Sequence, residues 1–385
     1  MKKILSWFIM LIVIVLLTGP VTEFANVVYE QKKIEESKPT QQERLDFQKL
    51  LSDNTYYYYN NLNDIEKEAY VTMYSSFMSF DDSFVMEIDG ENLKYVFTAV
   101  LYDNPHIFWV DNDYQYSENE KSVLFTPSYR NSTVEAQQLT IELNNKINEI
   151  VSYANNFNTE YEKELYIHNY ICENTVYDEA LSQEGGDSAY DSLINGKAIC
   201  EGYSRAVQIL LDAVDIDNYL VVGDSESNGE IEPHMWNVVE IDNLNYYLDA
   251  TWDDSGADDT TVYFYFNVND KMISKDHFNI EPANNNCTSD IAYYYEVNNS
   301  YVKSYNGFSE HANHSAEVLR NGENKAEFVF ANSNDYKKAL NDIENDNGFF
   351  DYIYSAVKKS GRRLNSYKVT YYTIDTRNYL CIVFG

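Results

Sequence analysis

The stretch MWNVVEIDNLNYYLDAT, residues 235–251, constrains the fold more than any other part of the chain. Apolar and polar residues alternate on both sides of Asp242-Asn243, a pair that tolerates the positive φ of a tight turn. A two-residue loop there makes an antiparallel hairpin in which residue 241 faces 244. The same register sets His234 opposite position 251 and on one face with position 249, its diagonal neighbour. A four-residue loop also keeps 234 and 249 together, whereas a three-residue loop separates them, because side chains alternate with period two.

Upstream lies NGKAICEGYSRAVQILLDAV, residues 195–214. Asn195-Gly196 is turn chemistry. From Tyr203 the apolar residues fall at 206, 207, 209, 210, 211, 213 and 214, a spacing that predicts a helix buried on most sides. Cys200 then sits in or near the first helical turn. Unpaired amides and the positive dipole end there favour a thiolate, the form that attacks carbon. A lone cysteine is more often a small buried hydrophobe, so the chemical reading depends on partners. A nucleophilic cysteine needs a base to take its proton, and the base needs a group to orient it. His234 in EPHMWNVVEI and Asp249 in YYLDATWDD qualify by type, and the hairpin permits Asp249 to hold His234.

Composition bounds the remaining choices. At 385 residues, 44% of them hydrophobic, the chain has room for two or three domains. Lys and Arg number 28 against 62 Asp and Glu, a net charge of −34. That balance argues against nucleic acid and against an anionic membrane surface as partners. Lys2-Lys3, the apolar run 4–18 and the break at Gly19-Pro20 have the form of an export signal. The run is short for a spanning helix, which needs about 20 apolar residues. Its cleavage site is not clean, so a removed signal and a retained anchor both fit. A lipoprotein does not, because no cysteine precedes Cys172. Cys172, Cys200, Cys287 and Cys381 contain no CxxC and make neither a disulfide framework nor a zinc ribbon. If Cys200 is chemical, at least one of the others should be a free thiol.

The expected organisation is an export signal or anchor over 1–25, a polar linker over 26–44, and a mixed helical and hairpin region over 45–132. A catalytic region follows over 133–290, then a small α+β unit over 301–385. Helices are predicted in DFQKLLSD, DIEKEAYVTMYSSFMSF and ENLKYVFTAVLYD, over 133–155 and 158–175, and from 200. HIFWVDNDYQYSENEKSVLFTP reads as a hairpin, NYLVVGD as a strand, and VYFYFNVND continues the extended pattern. The tail reads as strand AEFVFA, one helix at about 334–358, and strands YKVTYYTID and YLCIVFG.

GKAICEGYSRA, HMWNVVEIDNLNYYLDATWDD and YIHNYICENTVYD together resemble the transglutaminase-like superfamily, most of all its bacterial exported transglutaminase-like and cysteine peptidase branch. The resemblance covers roughly residues 155–280. It implies an α+β fold with a papain-like transglutaminase core, the cysteine helix packed on an antiparallel sheet. It also implies Cys200, His234 and Asp249 as a catalytic triad, with no cofactor and no metal. Family members often carry D-G-x-W-Y at the turn, where this chain has Asp242, Asn243, Leu244, Asn245 and Tyr246. That departure touches the hairpin rather than the chemistry. The implied activity is exported, thiol-dependent acyl transfer through a thioester on peptide or carboxamide substrates, cell-wall peptides among them. Water as acceptor gives a peptidase or amidase, and an amine gives a protein-glutamine transglutaminase. A non-catalytic surface binding protein and a structural envelope component are the alternatives. Membrane contact is expected only through the N-terminal segment.

Other stretches are read more plainly. DDSGADD at 253–259 is a solvated acidic loop rather than a Ca²⁺ site. DIENDNG at 342–348 places its glycine one position late for an EF-hand and has Ile353 where the bidentate Glu belongs. His311 and His314 are expected in an exposed polar segment, and His168 as a packed or surface helix residue. Trp236 and Trp252 are expected to pack around the site, and tyrosines 56–59 to pack in the core or its rim.

Overall fold

A computed structural model describes residues 32, 38–53, 56–119, 121–178, 180, 185–227, 229–254, 261–362 and 369–384. The expected export segment and most of the linker lie outside them. The chain divides into two compact units, one running up to residue 222 and taking in 234–237, the other made of 223–233 and 238–385.

In the first unit, helices α1 (Gln41–Asp53), α2 (Tyr57–Asn60) and α3 (Asp64–Ser79) precede strand β1 (Phe84–Met86). Helix α4 (Gly90–Asp103) then leads into the predicted hairpin, β2 (Val110–Glu118) and β3 (Val123–Tyr129). The three strands form an antiparallel sheet in the order β1-β3-β2. Asn63 starts α3 with a capping box, accepting from the Ile65 and Glu66 amides while Glu66 accepts from the Asn63 amide. The same S/T-x-x-E device starts α5 (Thr133–Ala154) at Ser132 and α6 (Glu160–Asn174) at Thr159. Buried rings fill the space between α3, α4 and the sheet: Phe77 meets Phe97 at 6.1 Å, and Phe84 meets Phe125 at 5.2 Å. Tyr56 and Tyr58 are buried and Tyr57 stacks on Tyr219 at 3.9 Å, so that tyrosine run is packing.

After α6 come β4 (Val176–Tyr177) and its parallel partner β5 (Lys197–Ala198), then α7 (Cys200–Asp212). Gly196, at φ 67°, makes the turn before β5. A four-stranded sheet has the order β8-β7-β6-β9, from β6 (Asn218–Ser227), β7 (Glu230–Ile241), β8 (Leu244–Leu248) and β9 (His277–Glu281). Asp242 and Asn243 have φ of 53° and 63°, so β7 and β8 are joined by the two-residue turn read from the sequence. Residues 262–270 depart from the expected extended pattern. They form turns with one isolated bridge, Tyr247 to Val268, because Asn267 adopts φ 57° and breaks the strand.

The C-terminal part of the second unit builds its own sheet, in the order β10-β11-β13-β12. Its strands are β10 (Tyr301–Val302), β11 (Lys325–Phe330), β12 (Val369–Ile374) and β13 (Tyr379–Phe384). The β10–β11 pair is parallel and the other pairs are antiparallel. One hydrophobic cluster, including Phe308, Leu319, Phe328, Tyr352 and Leu380, fills this part. The single helix expected at 334–358 is two, Ser333–Glu344 and Phe349–Ser360, because Asp346 and Gly348 take φ of 51° and 82° between them. Helix Ala312–Asn321 was not legible in the sequence. His311 and His314 are partly buried rather than exposed, each with its ring 5.4 Å from Phe328. The fold is mixed α+β with antiparallel sheets, as expected.

Leu319 is fully buried in the C-terminal cluster. Leu319→Ala is expected to cost about 2–5 kcal/mol of the stability of that part, through lost burial and the cavity left behind. Urea unfolding followed by tyrosine fluorescence measures it.

Candidate active site

Cys200 is the first residue of α7. Ile199 precedes it in extended conformation and caps the helix without a side-chain hydrogen bond; the Gly202 and Tyr203 amides donate to its carbonyl at 3.0 and 3.2 Å. Gly202 explains how the helix start fits where it does. A Cβ there would stand 2.4 Å from the Gly186 carbonyl oxygen and 2.7 Å from Ala198 Cβ. Only glycine allows that close backbone approach. All four cysteines are free thiols, and Cys200 alone is not buried.

The next turn of α7 ties the cysteine to a strand. Ser204 Oγ lies 2.9 Å from the Cys200 carbonyl and 2.9 Å from the Met235 carbonyl. Asn237 returns the contact, its side-chain amide donating to the Ser204 carbonyl at 3.0 Å. Met235 and Asn237 flank Trp236 on β7, and His234 is the residue before them. The residue is 7% exposed, and its ring stacks on Trp236 at 5.7 Å, two residues along the same strand face. On the far side of α7, the buried Arg205 donates to the Leu101 carbonyl at 2.9 Å and lies over the Tyr102 ring. Gln208 donates to the Tyr102 carbonyl at 2.8 Å.

Charge near the helix start is balanced by arginines. Burial raises the Glu201 carboxyl, and the Arg205 charge opposes that rise. Burial pushes Asp187 up too, but hydrogen bonds and charge from Arg130 hold it below the usual carboxylate range.

Asp249 lies one residue beyond β8, where the sequence suggested a place on the strand. It is the N-cap of a short helix, Ala250–Asp253, and its Oδ1 accepts the Thr251 and Trp252 amides at 3.0 and 3.2 Å. The strand stops at Leu248 because this side chain turns the backbone into the cap. Asp249 Oδ2 faces His277 Nε2 at 3.2 Å, both side chains fully buried. His277 escaped the sequence reading. Its only signal was the Asp276-His277 pair, which has no spacing rule relating it to Asp249.

Asp249 and His277 are a carboxylate and an imidazole of the kind that can hold a metal ion. The donor chemistry disfavours an ion there. Asp249 uses one oxygen on two amides and the other on His277, and the second ring nitrogen of His277 faces Asp276 Oδ1 at 2.8 Å. A metal would displace these bonds. Elsewhere, His168 is a buried helix residue against Asn169 and Cys172. Asp253 is buried, its Oδ1 accepting the Tyr265 amide at 2.9 Å, so the start of DDSGADD is not a solvated loop. Residues 255–260 lie outside the described residues.

Residues 151–250, which include Cys200, His234 and Asp249, match the model of the Transglutaminase-like superfamily. The chain carries a transglutaminase-like domain. Among solved structures, a TGase is similar at 17% identity and a TM-score of 0.28, covering 48% of this chain and 54% of that one. A candidate cysteine protease from Cytophaga hutchinsonii is similar at 14% identity and a TM-score of 0.24, with 36% and 61% covered. A candidate protease from Parabacteroides distasonis gives 14%, 0.22, 37% and 36%. The chain thus spans about half the length of the TGase it matches. The likeness to the Transglutaminase-like superfamily rests on the match at 151–250. No curated protein matches the chain.

Within the transglutaminase-like domain, Gly202 sets the position of the cysteine. Gly202→Ala is expected to lower stability by about 1–3 kcal/mol, because the added methyl overpacks against the Gly186 backbone. It should also slow Cys200 alkylation. Thermal unfolding and timed iodoacetamide labelling check the two effects.

Proposed function

We propose that the protein is a thiol-dependent acyl-transfer enzyme acting on peptide or carboxamide substrates, with water as its main acceptor. The observation that carries this reading is the Ser204 hydroxyl, which links the Cys200 carbonyl to the strand that presents His234. It is supported by the position of Cys200 at the start of an N-terminally uncapped helix, and by its being the one cysteine that is not buried.

In the proposed reaction the Cys200 thiolate attacks the substrate carbonyl carbon. The Cys200 amide at the helix start is the proposed oxyanion donor. As the tetrahedral intermediate collapses, the C–N bond breaks and His234 gives its proton to the departing amine, leaving a thioester on Cys200. Water then attacks the thioester with His234 as base, releasing the acid and restoring the thiol. Asp249 orients the imidazole and stabilises its charged form. Neither a metal nor a cofactor has a part in this scheme.

An amine acceptor would make the protein a transglutaminase, and that chemistry needs an acceptor channel that excludes water. Trp236 and Trp252, near His234 and Asp249 in the sequence, are candidates to line one. Trp236 is fully buried, and Trp252 packs on His277 at 4.6 Å and on Tyr265 at 5.3 Å. Both are committed to packing, which favours hydrolysis. The proposed setting is outside the cytoplasm, with protein or wall peptides as substrates, on the strength of the basic and apolar N-terminal segment. Among the described residues no helix is long and apolar enough to cross a membrane.

Mass spectrometry of a glutamine-containing peptide incubated with the protein and a primary amine tests the reading. Cleaved or deamidated peptide should dominate, and Cys200→Ala and His234→Ala should each reduce it at least about 1000-fold. Dominant isopeptide product would reverse the choice of acceptor. Alkylation of Cys200 no faster than that of Cys172, Cys287 and Cys381 would favour a binding protein on the same fold.

A further inference from the structure

We propose that His277, Asp276 and Arg377 form a positioning chain that holds the Asp249 carboxylate in place; the proposal rests on the reading of Asp249 as the group that orients the catalytic base. All four residues belong to the second compact unit. Two backbone amides grip Asp249 Oδ1, but bonds to one oxygen still let the carboxylate plane swing. His277 Nε2 closes on the other oxygen at 3.2 Å, and that second hold fixes the plane. His277 is itself fixed from its far side by Asp276 Oδ1 at 2.8 Å. Asp276 Oδ2 takes the Tyr265 hydroxyl at 2.9 Å and the guanidinium of Arg377.

The charges account for the order of the chain. His277 lies fully buried between two carboxylates, and the Asp276 side chain is only 14% exposed. Two anions in so little water need a cation, and Arg377 supplies it. Burial pushes the Asp276 carboxyl up, but the His277 hydrogen bond and the Arg377 charge outweigh it and hold the carboxyl below its usual range. Arg377 is placed by aromatic faces, lying 4.7 Å from the Tyr265 ring centroid and 5.8 Å from that of Trp252. It sits in the short turn Asp375–Arg377 between the last two strands, 101 residues beyond Asp276. The C-terminal sheet therefore has a part in the site: its final turn delivers the cation that ends the chain. Arg377 and His277 touch no reacting atom and are positioning residues.

The test uses the full chain and iodoacetamide, with His277→Gln and Arg377→Met as the breaking variants and Arg377→Lys as the conservative one. The near-UV spectrum establishes that each is folded. The expected result is Cys200 alkylation slowed about tenfold at about pH 6 in His277→Gln and less at about pH 9, a smaller loss of the same kind in Arg377→Met, and recovery in Arg377→Lys. Folded breaking variants whose pH profiles overlay the parent would overturn the proposal. His234→Ala and Asp249→Asn are run beside them. If these two also leave labelling unchanged, the acyl-transfer reading fails, and the chain is then decided by the ¹³C carboxyl resonance of Asp249. A titration midpoint raised in both breaking variants upholds the chain, and an unmoved midpoint rejects it.

Discussion

The arrangement around Cys200 depends on the polar seam between α7 and β7. Cys200 and Glu201 are only half-buried at the helix start while Tyr203 behind them is fully buried, so directional bonds add to packing in setting the position of that turn. Ser204 and Asn237 provide them, each bonding to backbone of the opposite element in a buried setting. Buried hydrogen bonds of this kind contribute only about 1 kcal/mol each, but leaving either partner unpaired costs more. The seam therefore fixes register as well as contact. Gly202 completes it by allowing the helix start to press against the Gly186 and Ser188 carbonyls without a side chain between.

In the second unit, one side chain serves backbone and chemistry together. Asp249 stops β8, caps the next helix and faces His277. Its carboxylate is oriented by local chain geometry on one oxygen and by tertiary contact on the other. That division lets a rigid hairpin end carry a group whose final orientation is set from a distance. The aromatic rings of Trp252 and Tyr265 keep the same region dry, which strengthens every charge interaction in it.

Much of this was legible in the sequence where one local rule decided the outcome. Asp242-Asn243 between alternating runs suggested a hairpin, and the structure closes it in two residues because both accept positive φ. Helical spacing marked 133–155 and 158–175, and the structure starts each helix with a capping box, at Ser132 and Thr159. The apolar spacing after Cys200 marked α7. Local rules failed where two signals competed. Residues 334–358 keep a helical apolar period throughout, yet Asp346 and Gly348 take the left-handed region and split the helix. Asp249 read as a strand residue, and the cap prevailed because its side chain reaches amides two and three residues ahead.

By itself, then, the sequence indicated the hairpin, the cysteine at a helix start, the histidine on its strand and the transglutaminase-like resemblance of residues 151–250. These follow from side chains acting on neighbours within a few residues, or from motifs of short span. The tertiary structure alone decided that Ser204 reaches Met235, that His277 faces Asp249, and that Arg377 faces Asp276. Those partners are 31, 28 and 101 residues apart. No periodicity or turn rule relates residues at such separations; they meet only because strands pair and helices pack.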